Sequence, residues 1–215
     1  MENRLEFHID HLVERYPQLK ECRMDIVKAY DILEMAYANG HKLLVSGNGG
    51  SASDSEHIVG ELMKGFKLKR TIRDEQANAL TSIDAEMGGV LAKYLQGALP
   101  SIALTGHISL STAYMNDANP ELVFAQQVHG FGRNGDVYLG ISTSGNSKNI
   151  LYAAITAKAN GMKVIGLTGA KTNKLMNYAD VCIRVPETET YKIQELHLPV
   201  YHCLCLMLED RFFVE

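Results

Sequence analysis

An α/β fold is what this sequence predicts: a five-stranded parallel sheet sandwiched by helices, with a helical extension at its N-terminus. Three observations carry that expectation. Between Lys42 and Val185, short apolar runs of strand type alternate with helical stretches, the pattern of βαβ units around a parallel sheet. Two of those runs end in loops that open helices, Gly47-Asn48-Gly49-Gly50-Ser51 and Ser142-Thr143-Ser144-Gly145-Asn146-Ser147. Open sheets of this class bind ligands at the carboxyl ends of their strands, where such loops lie. The 215 residues are 46% hydrophobic and 21% charged, which suits one globular domain and excludes wholesale disorder.

In chain order, residues 1–40 read as helix. Leu5, Ile9, Leu12 and Val13 keep a helical period up to Pro17, and Ile26, Ala29, Tyr30, Ile32, Leu33 and Ala36 keep it afterwards. Asn39-Gly40 is a C-cap signal. Lys42–Ser46, Ser101–Thr105, Asp136–Ser142, Lys163–Thr168 and Val181–Val185 are the five strand candidates. The segment 67–99 is too long for a simple connection and reads as an insertion of one or two helices over one face, broken at Gly88-Gly89. Thr190–Phe213 is helical and strongly apolar, and Pro199 inside it is expected to kink the helix or begin a new one.

Composition narrows the function classes. With 21 basic residues against 25 acidic ones and a net charge of −4, the chain lacks the basic excess of a dedicated nucleic-acid binder. No apolar run approaches the roughly 18 residues a membrane helix needs. The N-terminus is charged and amphipathic, unlike a signal peptide. Cys22, Cys182, Cys203 and Cys205 form neither CxxC nor a disulfide framework, and Cys203 and Cys205 read as small core residues. The expectation is a soluble cytoplasmic protein.

The glycine loop after the first strand lets backbone approach a ligand, and the helix start behind it favours an anion; a tight strand-to-helix turn is the plainer alternative. Gly47, Gly49 and Ala52 satisfy G-x-G-x-x-A, yet no acidic residue follows about 20 positions on at the end of a next strand, so a dinucleotide site is a poor reading. The hydroxyl loop Ser142–Ser147 suits a phosphate, or else an over-provisioned helix cap. His57 and Glu61 share one helix face and could offer nitrogen and oxygen to one metal ion, or form a surface pair. Gln194, His197 and His202 are polar groups on an apolar helix and need partners, with a core role the bland alternative for His197. Gln194 and His202 lie about 12 Å apart along a continuous helix, so spacing alone does not bring them to one ion. Asn116-Asp117 could place a carboxylate at the ligand edge, or form an Asx turn before Pro120.

Assembled, these motifs resemble the phosphoheptose isomerases of the sugar isomerase (SIS) class. The resemblance is carried by GNGGSASDSEHIVGEL, LPSIALT, STAYMNDANPELVFAQQV, GDVYLGISTSGNSKNIL, GMKVIGLTG and IQELHLPVYHCLCLMLED. It implies a single SIS domain, here over 1–215, in a homotetramer whose sites lie between subunits; the N-terminal helices over 1–40 and the insertion over 67–99 stand as read from the pattern above. By position it implies zinc, one ion per subunit, on His57, Glu61, Gln194 and His202. Phosphosugar contacts fall on Asn48, Gly49, Gly50, Asn116, Asp117, Ser142, Thr143, Ser144, Ser147 and Gln194, and the catalytic pair on Glu61 and His202. The implied activity is aldose–ketose isomerisation of a phosphosugar, sedoheptulose 7-phosphate to D-glycero-D-manno-heptose 7-phosphate. The chain departs from the family in three places: Gly65 where the family has arginine (Lys64, Lys67 or Lys69 could substitute), the insertion, and Pro199. The competing class is a non-catalytic SIS protein, a phosphosugar-binding regulator or a replication-initiation factor, which has no need of His57, Glu61 and His202.

Overall fold

The structure, a computed structural model, describes residues 2–214, with side chains from residue 6 onward. The chain opens with helix α1 (Glu2–Arg15), a 3₁₀ turn (Pro17–Cys22) and helix α2 (Arg23–Ala38). Ile9, Leu12, Ile26, Ala29, Tyr30, Leu33 and Ala36 are buried as the period predicts; the side chain of Leu5 lies outside the described residues. Gly40 adopts φ 76°, the left-handed residue that ends α2.

Five strands follow: β1 (Leu43–Ser46), β2 (Ser101–Ala103), β3 (Val137–Ile141), β4 (Lys163–Thr168) and β5 (Val181–Arg184). They form one parallel sheet in the order β2-β1-β3-β4-β5, with Leu43 paired to both Ser101 and Val137. Every residue of β1 and β3 is buried, as a sheet covered on both faces requires. Leu43 and Val45 face the layer that α1, α2, α3 (Gly50–Met63) and α9 (Thr190–Phe213) build. Leu44 faces the other, built by Val128 of α7 (Val123–Phe131) and Ile150 and Ala153 of α8 (Lys148–Ala159). Helix α6 (Ile108–Asp117) flanks that second layer, against which Tyr114 packs, and buries none of its residues fully. The chain leaves β1 through α3 on one face and β3 through α8 on the other. The neighbouring β1 and β3 ends are therefore the switch point of the sheet.

The insertion is a helical hairpin, α4 (Asp74–Ile83) and α5 (Ala85–Tyr94). Its break falls at Asp84, not at Gly88-Gly89, which lie inside α5. Asp84 leaves the helical region and caps α5, its carboxylate accepting from Glu86 N at 3.0 Å and Met87 N at 2.7 Å. Gly88 serves packing instead: a Cβ there would sit 2.2 Å from the Leu80 carbonyl oxygen, so α5 crosses α4 in close backbone contact. The hairpin packs chiefly on itself and does not cover a sheet face. Helix α4 buries no residue, and Ile83 and Met87 are 85% and 70% exposed. At its root an antiparallel bridge joins Thr71 to Gln96, and Gly97 N donates to Arg70 O at 3.2 Å.

Pro199 neither ends α9 nor begins a second helix; α9 runs unbroken for 24 residues. Its flanks explain the tolerance, since Ile193, Leu196, Val200 and Leu204 are all buried in the core and hold the helix through the missing hydrogen bond. Cys203 is buried too, and desolvation pushes its thiol up to about 12. Among the described residues no helix is long and apolar enough to cross a membrane.

Candidate active site

The two predicted loops meet at the switch point. Asn48, after β1, exchanges two side-chain hydrogen bonds with Asn149 of α8, at 3.0 and 2.8 Å. Gly49 takes φ 56°, a conformation that favours glycine and turns the chain into α3. After β3, the Ser142 and Ser147 hydroxyls lie 3.1 Å apart. Ser147 occupies the N-cap of α8, yet its side chain makes no capping bond, so surplus capping does not account for the loop. Ser144 Oγ accepts from Asn146 N at 3.2 Å, and the Thr143 carbonyl is taken by Gly169 N at 3.0 Å. The result is a closed turn with Thr143 and Ser144 at the sheet edge, beside a helix N-terminus suited to an anion.

Helices α3 and α9 pack side by side in the same sense, and their seam holds the remaining candidates. Gly50 lies against Gln194, where a Cβ would come within 2.7 Å of Nε2. One turn on, Asp54 accepts a hydrogen bond from the Tyr201 hydroxyl at 3.2 Å. That same hydroxyl lies 3.0 Å from His57 Nδ1. His57 Nε2 faces Glu61 Oε1 at 3.3 Å, and Lys64 Nζ is 3.6 Å from Glu61 Oε2. The His57 and His202 rings stand edge to face with centroids 5.0 Å apart, and Phe66 covers His202 at 5.3 Å. A cavity of about 270 Å³ opens beside His202 between α1 and α9, lined by His8, His11 and Arg15 among others.

Electrostatics follow from this burial. Desolvation lowers the His202 imidazole below its ordinary value, with His57 adding to the effect against a pull from Glu61. Desolvation raises the Asp54 carboxyl, against Tyr201 and His57. It also raises Tyr201, with the Asp54 carboxylate beside it, so that hydroxyl keeps its proton. Glu61 Oε2 and His202 Nε2 are buried atoms without a hydrogen-bond partner among the described residues.

Two groups of sequence candidates stand apart from His57, Glu61 and His202, and His197 takes the core role. Gln194 is brought to Gly50 rather than to His202, which lies about 12 Å of helix rise further along α9. Asn116 and Asp117 are exposed at the end of α6 and bond each other at 2.9 Å. The Asx turn before Pro120 is made by Asn119, whose side chain accepts from Glu121 N at 3.0 Å. His197 is fully buried with neither ring nitrogen in a hydrogen bond of good geometry among the described residues, and burial pushes it down to about 4 against a smaller pull from the nearby Thr168 backbone.

Four residues of the site escaped sequence reasoning: Asp54, Tyr201, Arg70 and Glu209. Glu209, 1% exposed, accepts from the backbone N–H groups of Phe66, Lys67 and Leu68 at 2.8, 2.9 and 3.2 Å. It also takes Arg70 Nε at 2.8 Å, and Arg70 in turn donates to the carbonyls of Leu62 and Glu61. Arg70 is thus a buried strut beneath the turn that carries Glu61. Gly65 follows from the same turn, because a Cβ there would stand 2.3 Å from the Leu68 carbonyl oxygen. That position therefore resists any larger side chain, and beside the Glu61 carboxylate stands Lys64, 3.6 Å away. The only signals of these partners were a tyrosine on an apolar helix and an Asp54–His57–Glu61 stripe on α3.

A divalent cation fits the chemistry of this cluster. Imidazole and carboxylate suit zinc and its neighbours, and Glu61 Oε2, with Lys64 Nζ 3.6 Å away, and His202 Nε2 are buried donor atoms without a hydrogen bond among the described residues that such an ion would satisfy. The cradle is partial: among the described residues, no three His, Cys, Asp or Glu side chains of one chain are grouped so as to hold a metal ion.

Comparison with known proteins adds four matches. A SIS-domain family model matches residues 77–169, the segment containing the Ser142–Ser147 loop. A phosphoheptose isomerase of Rhodospirillum rubrum is 36% identical over 210 residues, covering 98% of each chain. One of Aneurinibacillus thermoaerophilus is 39% identical over 177 residues, 82% of this chain and 76% of that one. Among solved structures, the phosphoheptose isomerase of Neisseria gonorrhoeae superposes with a TM-score of 0.70 at 31% identity, over 95% of this chain and 96% of that one.

Proposed function

Because this chain belongs to the phosphoheptose isomerase family, and is an aldose–ketose isomerase of phosphosugars, we propose that its substrate is sedoheptulose 7-phosphate and its product D-glycero-D-manno-heptose 7-phosphate. The observation that carries the reading is that half-buried Glu61 and His202 flank His57, each with one buried polar atom that makes no hydrogen bond among the described residues, on the seam that runs down from the switch-point loops.

Aldose–ketose isomerisation moves a proton between C1 and C2 through an enediolate, which needs a base for the carbon-bound proton and an acid for the neighbouring oxygen. Glu61 takes the proton from one carbon and returns it to the other. His202, kept neutral by burial, donates to and accepts from the adjacent oxygen. Ser142, Thr143, Ser144 and Ser147 hold the phosphate at the sheet edge, with Asn48, Gly49, Gly50 and Gln194 completing that wall. Holding the phosphate fixes which carbons stand over Glu61. Asn116 and Asp117 join the substrate wall only by way of a neighbouring subunit or a movement of α6, since both are exposed here. His57, Glu61, Gln194 and His202 would hold a zinc ion, one per subunit, which when bound supplies positive charge to the developing enediolate.

The reading extends to a homotetramer with sites between subunits. Two features support it: the separation of Gln194 from His202 within one chain, and the solvent-facing apolar side chains of Val90, Leu91 and Tyr94 on α5 and Ile108 and Leu110 on α6. The chain is read as a cytoplasmic single domain, acting on a phosphorylated metabolite.

Proton NMR of the zinc-loaded protein with sedoheptulose 7-phosphate in deuterated water is the test. New anomeric signals of an aldoheptose phosphate, with deuterium washed into the transferred position, are expected. Glu61→Gln should lose at least about 100-fold in rate while remaining folded. Full turnover by that variant would remove Glu61 from the mechanism.

A further inference from the structure

We infer that Tyr201 and Asp54 form a positioning relay that fixes the tautomer of His57, keeping Nδ1 protonated and turning a bare Nε2 lone pair toward Glu61. The inference rests on the proposed function only in taking His57 for a ligand of a divalent ion.

The argument is one of proton counting. The Tyr201 oxygen carries a single hydrogen and has two polar neighbours, Asp54 Oδ1 at 3.2 Å and His57 Nδ1 at 3.0 Å. An ionised carboxylate only accepts, so the tyrosine hydrogen goes to Asp54. The tyrosine oxygen then accepts, and the one hydrogen available to it is on His57 Nδ1. A neutral His57 with Nδ1–H has no hydrogen on Nε2. That nitrogen faces Glu61 Oε1 at 3.3 Å, so two acceptors confront each other. Only a cation or a further proton reconciles them, and the relay prepares the position for either.

The three groups are placed by the helices and not by chance side-chain reach. Asp54 and His57 are three residues apart on α3 and so share a face, while Tyr201 comes from α9 and is 2% exposed. The Tyr201 ring also stands edge to face with His57, at 5.5 Å between centroids, which fixes the plane of the imidazole as well as its proton. Carboxylates and other acceptors behind a metal-binding histidine raise its basicity and lock its ring. Here a phenol is interposed between the carboxylate and the imidazole.

Two variants that keep shape, Tyr201→Phe and Asp54→Asn, test the relay. The first readout needs neither metal nor turnover: long-range ¹H–¹⁵N spectra of the metal-free protein at pH 8, with the His57 signals assigned by their loss in His57→Gln. The expected result is the Nδ1–H tautomer in the wild type and a shift toward Nε2–H in Tyr201→Phe. A wild-type His57 in the Nε2–H form overturns the inference, whatever the reaction proves to be. The second readout is zinc affinity by competition with a chromophoric chelator. Each variant is expected to bind about 10- to 100-fold more weakly, and the double variant little worse than either. Folded Tyr201→Phe protein with wild-type zinc affinity and an unchanged tautomer also overturns it. A wild type that binds no zinc removes the metal from the proposed function, and the tautomer measurement then decides the relay alone.

Discussion

Removing the Glu209 carboxylate should destabilise this protein more than almost any other single substitution outside the apolar core. Glu209→Ala strands the Arg70 guanidinium, which is 0% exposed, and withdraws the acceptor from three backbone N–H groups. Breaking a buried pair by deleting one partner costs about 3–5 kcal/mol. The three amides add little to that, because their residues are partly exposed and water can replace the lost acceptor. At about 2–4 °C per kcal/mol for a chain of this size, the melting temperature should fall by roughly 6–20 °C. Arg70→Met with Glu209→Leu removes both charges together and should recover a good part of that loss. The assay is thermal and urea unfolding followed by circular dichroism at fixed protein concentration. The pH dependence has a definite sign. Burial alone would raise the Glu209 carboxyl, but the Phe66 and Lys67 amides and Arg70 outweigh it and hold it below the ordinary 4.5. Its contribution is therefore present above about pH 4.5 and is lost as the pH falls further. A Glu209→Ala protein that melts within about 2 °C of wild type would refute the reasoning.

Three other outcomes are expected. His197, held near 4 in the fold against an ordinary 6.5, makes the unfolded chain bind a proton first. Stability should thus be complete above pH 6.5 and fall by up to about 3 kcal/mol toward pH 4; in His197→Leu that slope should disappear, and its persistence in equilibrium unfolding would assign it to another group. Gly65→Arg, the residue that the resemblance leads one to expect there, should cost about 1–3 kcal/mol without raising kcat, since the Leu68 carbonyl occupies the space its Cβ needs; steady-state kinetics and a melting curve check both parts. Gly50→Ala should displace the Gln194 amide from its place, lowering kcat/KM about tenfold or more with a melting temperature within about 3 °C of wild type.

The alternation of strands and helices and the two switch-point loops were legible in the sequence because both are local signals. The five strands fall where their apolar runs do, and α9 spans Thr190–Phe213 as its pattern predicts. What escaped depends on partners far apart in sequence. Tyr201 and Asp54 are 147 residues apart, and Arg70 and Glu209 are 139 apart; nothing in a local pattern announces such pairs. Gly88-Gly89 misled for a related reason. A glycine pair reads as a helix break, yet here Gly88 answers to a neighbouring helix, Gly89 faces open space inside α5, and the break belongs to a carboxylate that caps. Pro199 misled because packing on the core holds α9 together through a residue that would break an isolated helix. Of the candidate site, His57, Glu61 and His202 are brought together, whereas Asn116 and Asp117 stand apart at the surface.

The pairing of Thr71 with Gln96 makes the helical hairpin a cassette. Its two ends leave the body through a single stitched doorway, and what lies between them meets its own subunit chiefly near that doorway, where Ile72, Arg73 and Asp74 line a cleft with Phe212 and Phe213. Lengthening such an excursion is cheap, because doubling a loop costs only about 0.6 kcal/mol of closure entropy. Neither the register of β1 against β2 nor the seat of Glu61 on α3 is set by anything inside it. Within one subunit, residues 72–95 can therefore be exchanged as one piece without disturbing the seam of α3 and α9; what changes is the outer surface, including the apolar face of α5 on which the proposed tetramer draws.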